Sequence, residues 1–284
     1  MLNRSKKSRL VSLPLNAQRA LIAGARNAEP VHGLTHGYYK YPARFSPAFV
    51  RAAIETFTNP GDLVLDPHVG GGTSLVEALA LGRSAIGIDI STLAEFVSKA
   101  KTTLYTDSEL DRLGTWSKRV RSAIHVRKSS VHFADYEAAG YYKHLDHPSR
   151  WRLRKAIEQG LASAIRLADH RLESFGRCAV LRTAQWALDG RANLPSIGDF
   201  RDFMEKTAIE MVEGARTLRT VAKANRHRSV IQIINRSAAG IEDDERLIRR
   251  CLVSAACHTP PSLSLPLKGG GNGYNSRRAR EGRL

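Results

Sequence analysis

Asp62-Leu63-Val64-Leu65-Asp66-Pro67-His68-Val69-Gly70-Gly71-Gly72-Thr73, continued through Ser74-Leu75-Val76-Glu77-Ala78-Leu79-Ala80-Leu81-Gly82-Arg83 to Ser84-Ala85-Ile86-Gly87-Ile88-Asp89-Ile90, decides the fold class. The run Leu63 to Leu65 has the composition of a strand buried on both faces. A glycine-rich turn follows, and then Leu75, Val76, Leu79 and Leu81 recur at helical spacing. Gly82-Arg83 closes that helix, and a second apolar run ends in Asp89. Two strands joined through a helix lie parallel, because the crossover returns the chain in the same direction. Residues 62–90 therefore read as one β-turn-α-β unit of the α/β class.

Upstream, Ser46-Pro47 sets a cap with proline at the first helical position, and Phe49, Val50, Ala53, Ile54 and Phe57 form an apolar stripe. Asn59-Pro60-Gly61 ends it. Downstream, residues 106 to 226 are charged and helical in period. The clearest run is Phe200, Phe203, Met204, Thr207, Ala208, Met211, Val212, Ala215, Leu218, Val221 and Ala222, with a shorter helix expected from Cys178 to Leu188. Ser229 to Asn235 is β-branched and reads as a strand, and Asp243 to Leu252 as a helix. From Thr259 onward proline and glycine are too dense for any element interior, so a disordered tail is expected.

The 284 residues carry 44 Lys and Arg against 27 Asp and Glu, a formal charge of +17. That surplus favours a polyanionic partner. Lys118, Arg119, Arg121, Arg127 and Lys128 crowd one end of the helical region, and Arg216, Arg219, Lys223, Arg226 and Arg228 the other. They are either solvated helix faces or phosphate contacts. No run approaches the roughly 18 apolar residues of a membrane span. The basic start, Met1 to Leu15, reads as a frayed terminus and not a signal peptide. Cys178, Cys251 and Cys257 lack any metal-ligand spacing and fit a reducing cytoplasm, Cys178 as core packing. His144, Asp146 and His147 read as a loop before Pro148, so no metal is expected.

Strand, glycine turn, helix and a second strand with an acidic end make the general plan for gripping an adenosine-containing cofactor. A P-loop is excluded, because no Gly-Lys-Ser/Thr follows the glycines. A dinucleotide fits poorly. Asp66 at the strand tip repels a pyrophosphate, and Leu75 stands where the third glycine of GxGxxG belongs. S-adenosyl-L-methionine fits better: Asp66 would meet its ammonium, the N–H groups of Gly70 to Thr73 its carboxylate, and Asp89 its ribose hydroxyls.

Three ordered segments, His36-Gly37-Tyr38-Tyr39-Lys40-Tyr41-Pro42-Ala43-Arg44-Phe45-Ser46-Pro47, Asp66 to Ala78, and Gly87-Ile88-Asp89, together resemble the bacterial DNA amino-methyltransferases that act on adenine N6 or cytosine N4. Asn235-Arg236-Ser237-Ala238 resembles more loosely their third cofactor segment. The resemblance implies a Rossmann-like methyltransferase sheet with a large helical insertion, S-adenosyl-L-methionine as cofactor, duplex DNA as partner and a restriction-modification setting. It implies cofactor contacts at Pro42, Phe45, Asp66, Gly70, Gly72, Thr73 and Asp89, with Pro42 and Phe45 closing the methionine end. The expected division is 1–30 basic segment, 31–105 cofactor-binding half, 106–228 helical region for target recognition, 229–257 third strand and helix, and 258–284 tail.

Two positions depart from the family pattern. His68 stands where an aromatic Phe or Tyr is usual. The catalytic signature, Asp, Asn or Ser followed by Pro-Pro and then Tyr, Phe or Trp, finds only Thr259-Pro260-Pro261-Ser262. Ser262 cannot stack on a flipped base, so no catalytic residue is assigned, and the chain is expected to stop short of the catalytic half with its sheet incomplete and Leu63 to Leu65 at an edge. The alternatives are a non-catalytic module binding cofactor or nucleic acid, and a methyltransferase acting on RNA.

Overall fold

A computed structural model describes residues 13–244, apart from 30, 32, 43, 128–132, 139–144, 146 and 192. The expected tail, the catalytic-motif remnant and most of the helix expected over 243–252 lie outside the described residues. So do residues 1–12 of the basic start.

The β-turn-α-β unit forms as read. Strand β1 (Leu63–Asp66) leads through the glycine turn to α3 (Thr73–Ala80) and back to β2 (Ser84–Asp89). It is preceded by α1 (Leu15–Arg26) and α2 (Pro47–Phe57). Among the described residues, six α-helices come between β2 and the third strand, β3 (Ile231–Asn235): α4 (Thr92–Thr102), α5 (Asp107–Ala123), α6 (Phe133–Ala138), α7 (Trp151–Ile165), α8 (His170–Leu188) and α9 (Ile197–Ala224). The described sheet is parallel throughout, in the order β1-β2-β3, with Asp66 opposite Gly87 and Asp89 opposite Asn235.

Helix α1 lies within the expected 1–30 basic segment, where no helix is read from the sequence, after the start expected to be frayed over Met1 to Leu15. Its apolar stripe is thin, and tertiary contact supplies what propensity does not. Gly24 lies against the backbone of Ala48 and Phe49, where a Cβ would come within 2.7 Å, so α1 docks closely on α2. Strand β1 also departs from burial on both faces. Leu63 and Val64 are only half-buried and Leu65 is 38% exposed. Among the described residues β1 has one neighbour, so it is an edge.

Val50 and Ile54 of α2 pack with Leu75, Ala78 and Ala85 on one sheet face, while Ile86 and Ile88 meet Leu63, Ile234 and Ile241 on the other. The largest apolar cluster lies in the helices. Phe175 is its hub, with Tyr38, Tyr105 and Trp116 edge-on to its ring at centroid distances of 5.8, 5.9 and 6.3 Å. Cys178 is buried in this cluster, as read. Tyr38 ties the segment before α2 to the helices, its hydroxyl donating to the Met211 carbonyl at 2.8 Å. The helical region and the sheet therefore share one packed body around that segment. Among the described residues no helix is long and apolar enough to cross a membrane.

Candidate cofactor site

The glycine turn occupies the carboxyl ends of β1 and β2, where ligands of open parallel sheets bind. Gly70 and Gly72 have φ of 48° and 74°, left-handed values that side chains disfavour. Space is equally short. A Cβ on Gly71 would sit 2.7 Å from that of Tyr41, and one on Gly72 would sit 2.7 Å from the Ser98 hydroxyl. The glycines are there because the turn is pressed between the segment before α2 and helix α4.

Asp66 ends β1 with both carboxylate oxygens oriented. Oδ1 accepts from the His68 amide at 3.0 Å and Oδ2 from the Ser74 hydroxyl. Asp89 ends β2, its Oδ2 accepting from the Gly70 amide and its Oδ1 from the Ser91 amide, each at 2.9 Å. Each carboxylate oxygen has two lone pairs, so both acids keep acceptor capacity. Of the loop donors, the Gly70 amide is committed to Asp89 and the Gly72 amide to the Val69 carbonyl at 2.8 Å. Gly71 and Thr73, at the start of α3, are the positions from which N–H groups remain for an anion.

Asp66, Gly70, Gly72, Thr73 and Asp89 thus converge on one turn. Pro42 and Phe45 are less closely placed. Pro42 is exposed beside Tyr41, and Phe45 is 64% exposed, its ring 6.1 Å from that of Phe49. From this segment it is Tyr41 that packs on the glycines.

Sequence reasoning missed three supports. Ser98 donates to the Gly70 carbonyl at 3.1 Å. Lys101, only 1% exposed, donates through Nζ to the Gly71 carbonyl at 2.7 Å and reaches the Tyr39 carbonyl at 3.5 Å. Burial lowers its pKa to about 8. Glu77, buried on α3, takes His36 Nε2 at 2.8 Å on Oε1 and the Arg51 guanidinium at 2.8 Å on Oε2. A lysine and a glutamate at apolar helix positions were the available signals, and both point at the same strip of chain, residues 36–41.

The stretch that builds this turn has known counterparts. Residues 22–100 match the N6/N4 methyltransferase family model, described as DNA methylase. Residues 22–100 are thus the part of the chain that is similar to DNA methylases, a methylase-like segment. The chain is similar to the Type II methyltransferase M.MjaII of Methanocaldococcus jannaschii, 33% identical over 78 residues, 28% of this chain and 15% of that protein. M.MvaI of Kocuria varians, also a Type II methyltransferase, is 43% identical over 82 residues, 28% of this chain and 18% of that protein. The DNA adenine methyltransferase YhdJ of Escherichia coli is 34% identical over 101 residues, 32% of this chain and 34% of that protein. The chain thus spans less than a fifth of the first two relatives. No solved structure matches it significantly. The methylase-like segment contains Asp66, the glycine turn and Asp89. Helices α5 to α9 lie outside it.

Proposed function

We propose that the methylase-like segment holds S-adenosyl-L-methionine, and that the chain is the cofactor-binding part of a DNA amino-methyltransferase acting on the exocyclic amine of adenine or cytosine. The observation that carries this reading is the convergence of two oriented carboxylates, Asp66 and Asp89, on a glycine turn too tight for side chains. In that reading Asp66 faces the ammonium, Asp89 the ribose hydroxyls, and the Gly71 and Thr73 amides the carboxylate, with Pro42 and Phe45 over the methionine end. The cofactor supplies a methyl group made electrophilic by its sulfonium. The parallel order β1-β2-β3 with acidic strand ends is read as half of a Rossmann-like methyltransferase sheet.

Activation of the target amine needs a hydrogen-bond acceptor and a stacking aromatic beside the flipped base. The 284 residues hold no Pro-Pro pair flanked by both. This favours a second reading, a module that binds cofactor and nucleic acid without transferring the methyl group by itself. Radiolabelled methyl transfer onto unmethylated DNA separates the two. The expected result for this polypeptide alone is cofactor binding without transfer. Transfer that survives Pro260→Ala and Pro261→Ala would place catalysis elsewhere in the chain, and transfer to RNA alone would change the substrate.

A further inference from the structure

Away from the glycine turn, a cavity of about 700 Å³ opens among the helices, bounded by the loop after α5, the start of α7 and the start of α9. Its size is that of a small-ligand site. Arg127, Arg152 and Arg201 line it from these three elements. Several other helical arginines are matched by acids: Arg121 with Asp202 at 2.6 Å, Arg216 with Asp111 at 2.7 Å, Arg171 with Glu109 at 3.2 Å, and Arg219 with Asp107. The three in the cavity pair with no carboxylate among the described residues. Arg201 Nε is in addition shielded from water and without a hydrogen-bond partner among the described residues. The acids closest in sequence to Arg201 are engaged, Asp199 in the capping box with Ser196 and Asp202 with Arg121.

An aromatic ring stands in the same cavity. Trp151 opens α7 and is 45% exposed, with the Arg152 guanidinium 5.4 Å from its centroid. Its counterparts are covered: Trp116 is buried, with its indole N–H donating to Ser163 Oγ at 3.0 Å, and Trp186 stacks on Phe203 at 4.2 Å. Val126 and Leu194 complete an apolar wall. Three convergent uncompensated guanidiniums beside an uncovered indole match a phosphate ester that carries a flat ring.

We propose that this cavity is a nucleotide notch: Arg127, Arg152 and Arg201 grip a phosphodiester and Trp151 stacks on the attached base. Only the choice of DNA as the polymer rests on the function proposed above. The same chemistry is offered by a nucleotide within a strand and by a free mononucleotide.

The test uses the full chain and a fluorescein-labelled single-stranded oligodeoxynucleotide, titrated by anisotropy across a salt series. Each of Arg127→Ala, Arg152→Ala and Arg201→Ala should weaken binding roughly 3- to 10-fold and reduce the salt slope by about one. Trp151→Ala should weaken it about 10-fold with the slope unchanged, and Trp151→Phe should restore most of the loss. Arg201→Lys, which keeps the charge without the fork, guards against misfolding of the partly buried position. Arg119→Ala, on the exposed face of α5 outside the cavity, is the control for net charge. Competition by adenosine monophosphate would show that a free nucleotide suffices; its failure beside intact strand binding would show that a strand is required. Cavity variants no weaker than Arg119→Ala would overturn the notch. Calorimetry with S-adenosyl-L-methionine on the same variants separates the two readings, because the notch can fail while cofactor binding stands, and the reverse.

Discussion

The Gly70 amide donates to Oδ2 of Asp89 at 2.9 Å, which ties the turn after β1 to the end of β2. One carboxylate therefore serves twice, as a clasp for the glycine loop and as the acid proposed to meet a ribose. Asp89→Ala leaves the Gly70 and Ser91 amides without acceptors, a loss of about 1–3 kcal/mol for each such group that stays buried. The expected outcome is a lower melting temperature together with weakened S-adenosyl-L-methionine binding, read by scanning calorimetry and titration calorimetry. A variant that loses cofactor affinity at unchanged stability would assign Asp89 to the ligand alone.

Crowding at the loop makes a second prediction. Gly71→Ala drives a methyl into Tyr41 Cβ, where the contact would be 2.7 Å, and the neighbour is not the free end of a flexible chain. Overpacking of this kind costs about 1–3 kcal/mol. Pairing Gly71→Ala with Tyr41→Ala should recover little, because alanine keeps the Cβ that makes the 2.7 Å contact. Urea denaturation of the single and double variants checks this.

Lys101 gives a pH dependence with a definite sign. Its folded pKa, about 8, lies below its ordinary 10.5, so burial penalises the charged form. Between those values the unfolded chain holds the proton more tightly, and stability rises with pH. Cys178 acts oppositely: burial raises its pKa from 9.0 to about 12, and stability falls with pH above 9.0. Lys101 holds the Cys178 thiol slightly lower, so in Lys101→Met the thiol is held up at least as strongly; it stays protonated in both folded proteins up to about pH 10, and its contribution largely cancels between them. The wild type should therefore gain on Lys101→Met when melting temperatures are compared at about pH 7 and about pH 10. A constant gap would mean that Lys101 is not buried as a titrating group.

Glu77 is the buried acid that joins α3 to the strip before α2, taking both His36 and Arg51. Its removal leaves the buried His36 unpaired while the half-exposed Arg51 keeps its access to water, and Glu77→Ala should destabilise the protein by about 1–3 kcal/mol, measured by chemical denaturation. Because the Glu77 carboxylate pairs with His36 and Arg51, neither of them proposed to meet the cofactor, any loss of cofactor affinity should follow the loss of folded protein.

Local pattern carried most of the architecture. The unit from Asp62 to Asp89, the strand at Ile231–Asn235 and the helix at Ile197–Ala224 were legible because periodicity and turn residues sit within each segment. Asp66, Gly70, Gly72, Thr73 and Asp89 were legible for the same reason. Lys101, Ser98 and Tyr41 were not, since their roles come from contacts with residues 28 to 30 positions away, such as Ser98 with Gly70 and Lys101 with Gly71. Helix α1 was missed because docking through Gly24 decides it. Trp151 was not legible, since its exposure depends on how three separate elements surround it.

The central claim is that the glycine turn and its two acids hold S-adenosyl-L-methionine, and titration calorimetry on wild type and Asp66→Ala tests it most directly. The Asp66 carboxylate is positioned by Ser74 and the His68 amide, and it is the group proposed to meet the ammonium. Saturable one-site binding by the wild type, abolished in a folded Asp66→Ala variant, is the predicted result. Unchanged affinity in that variant would contradict the account.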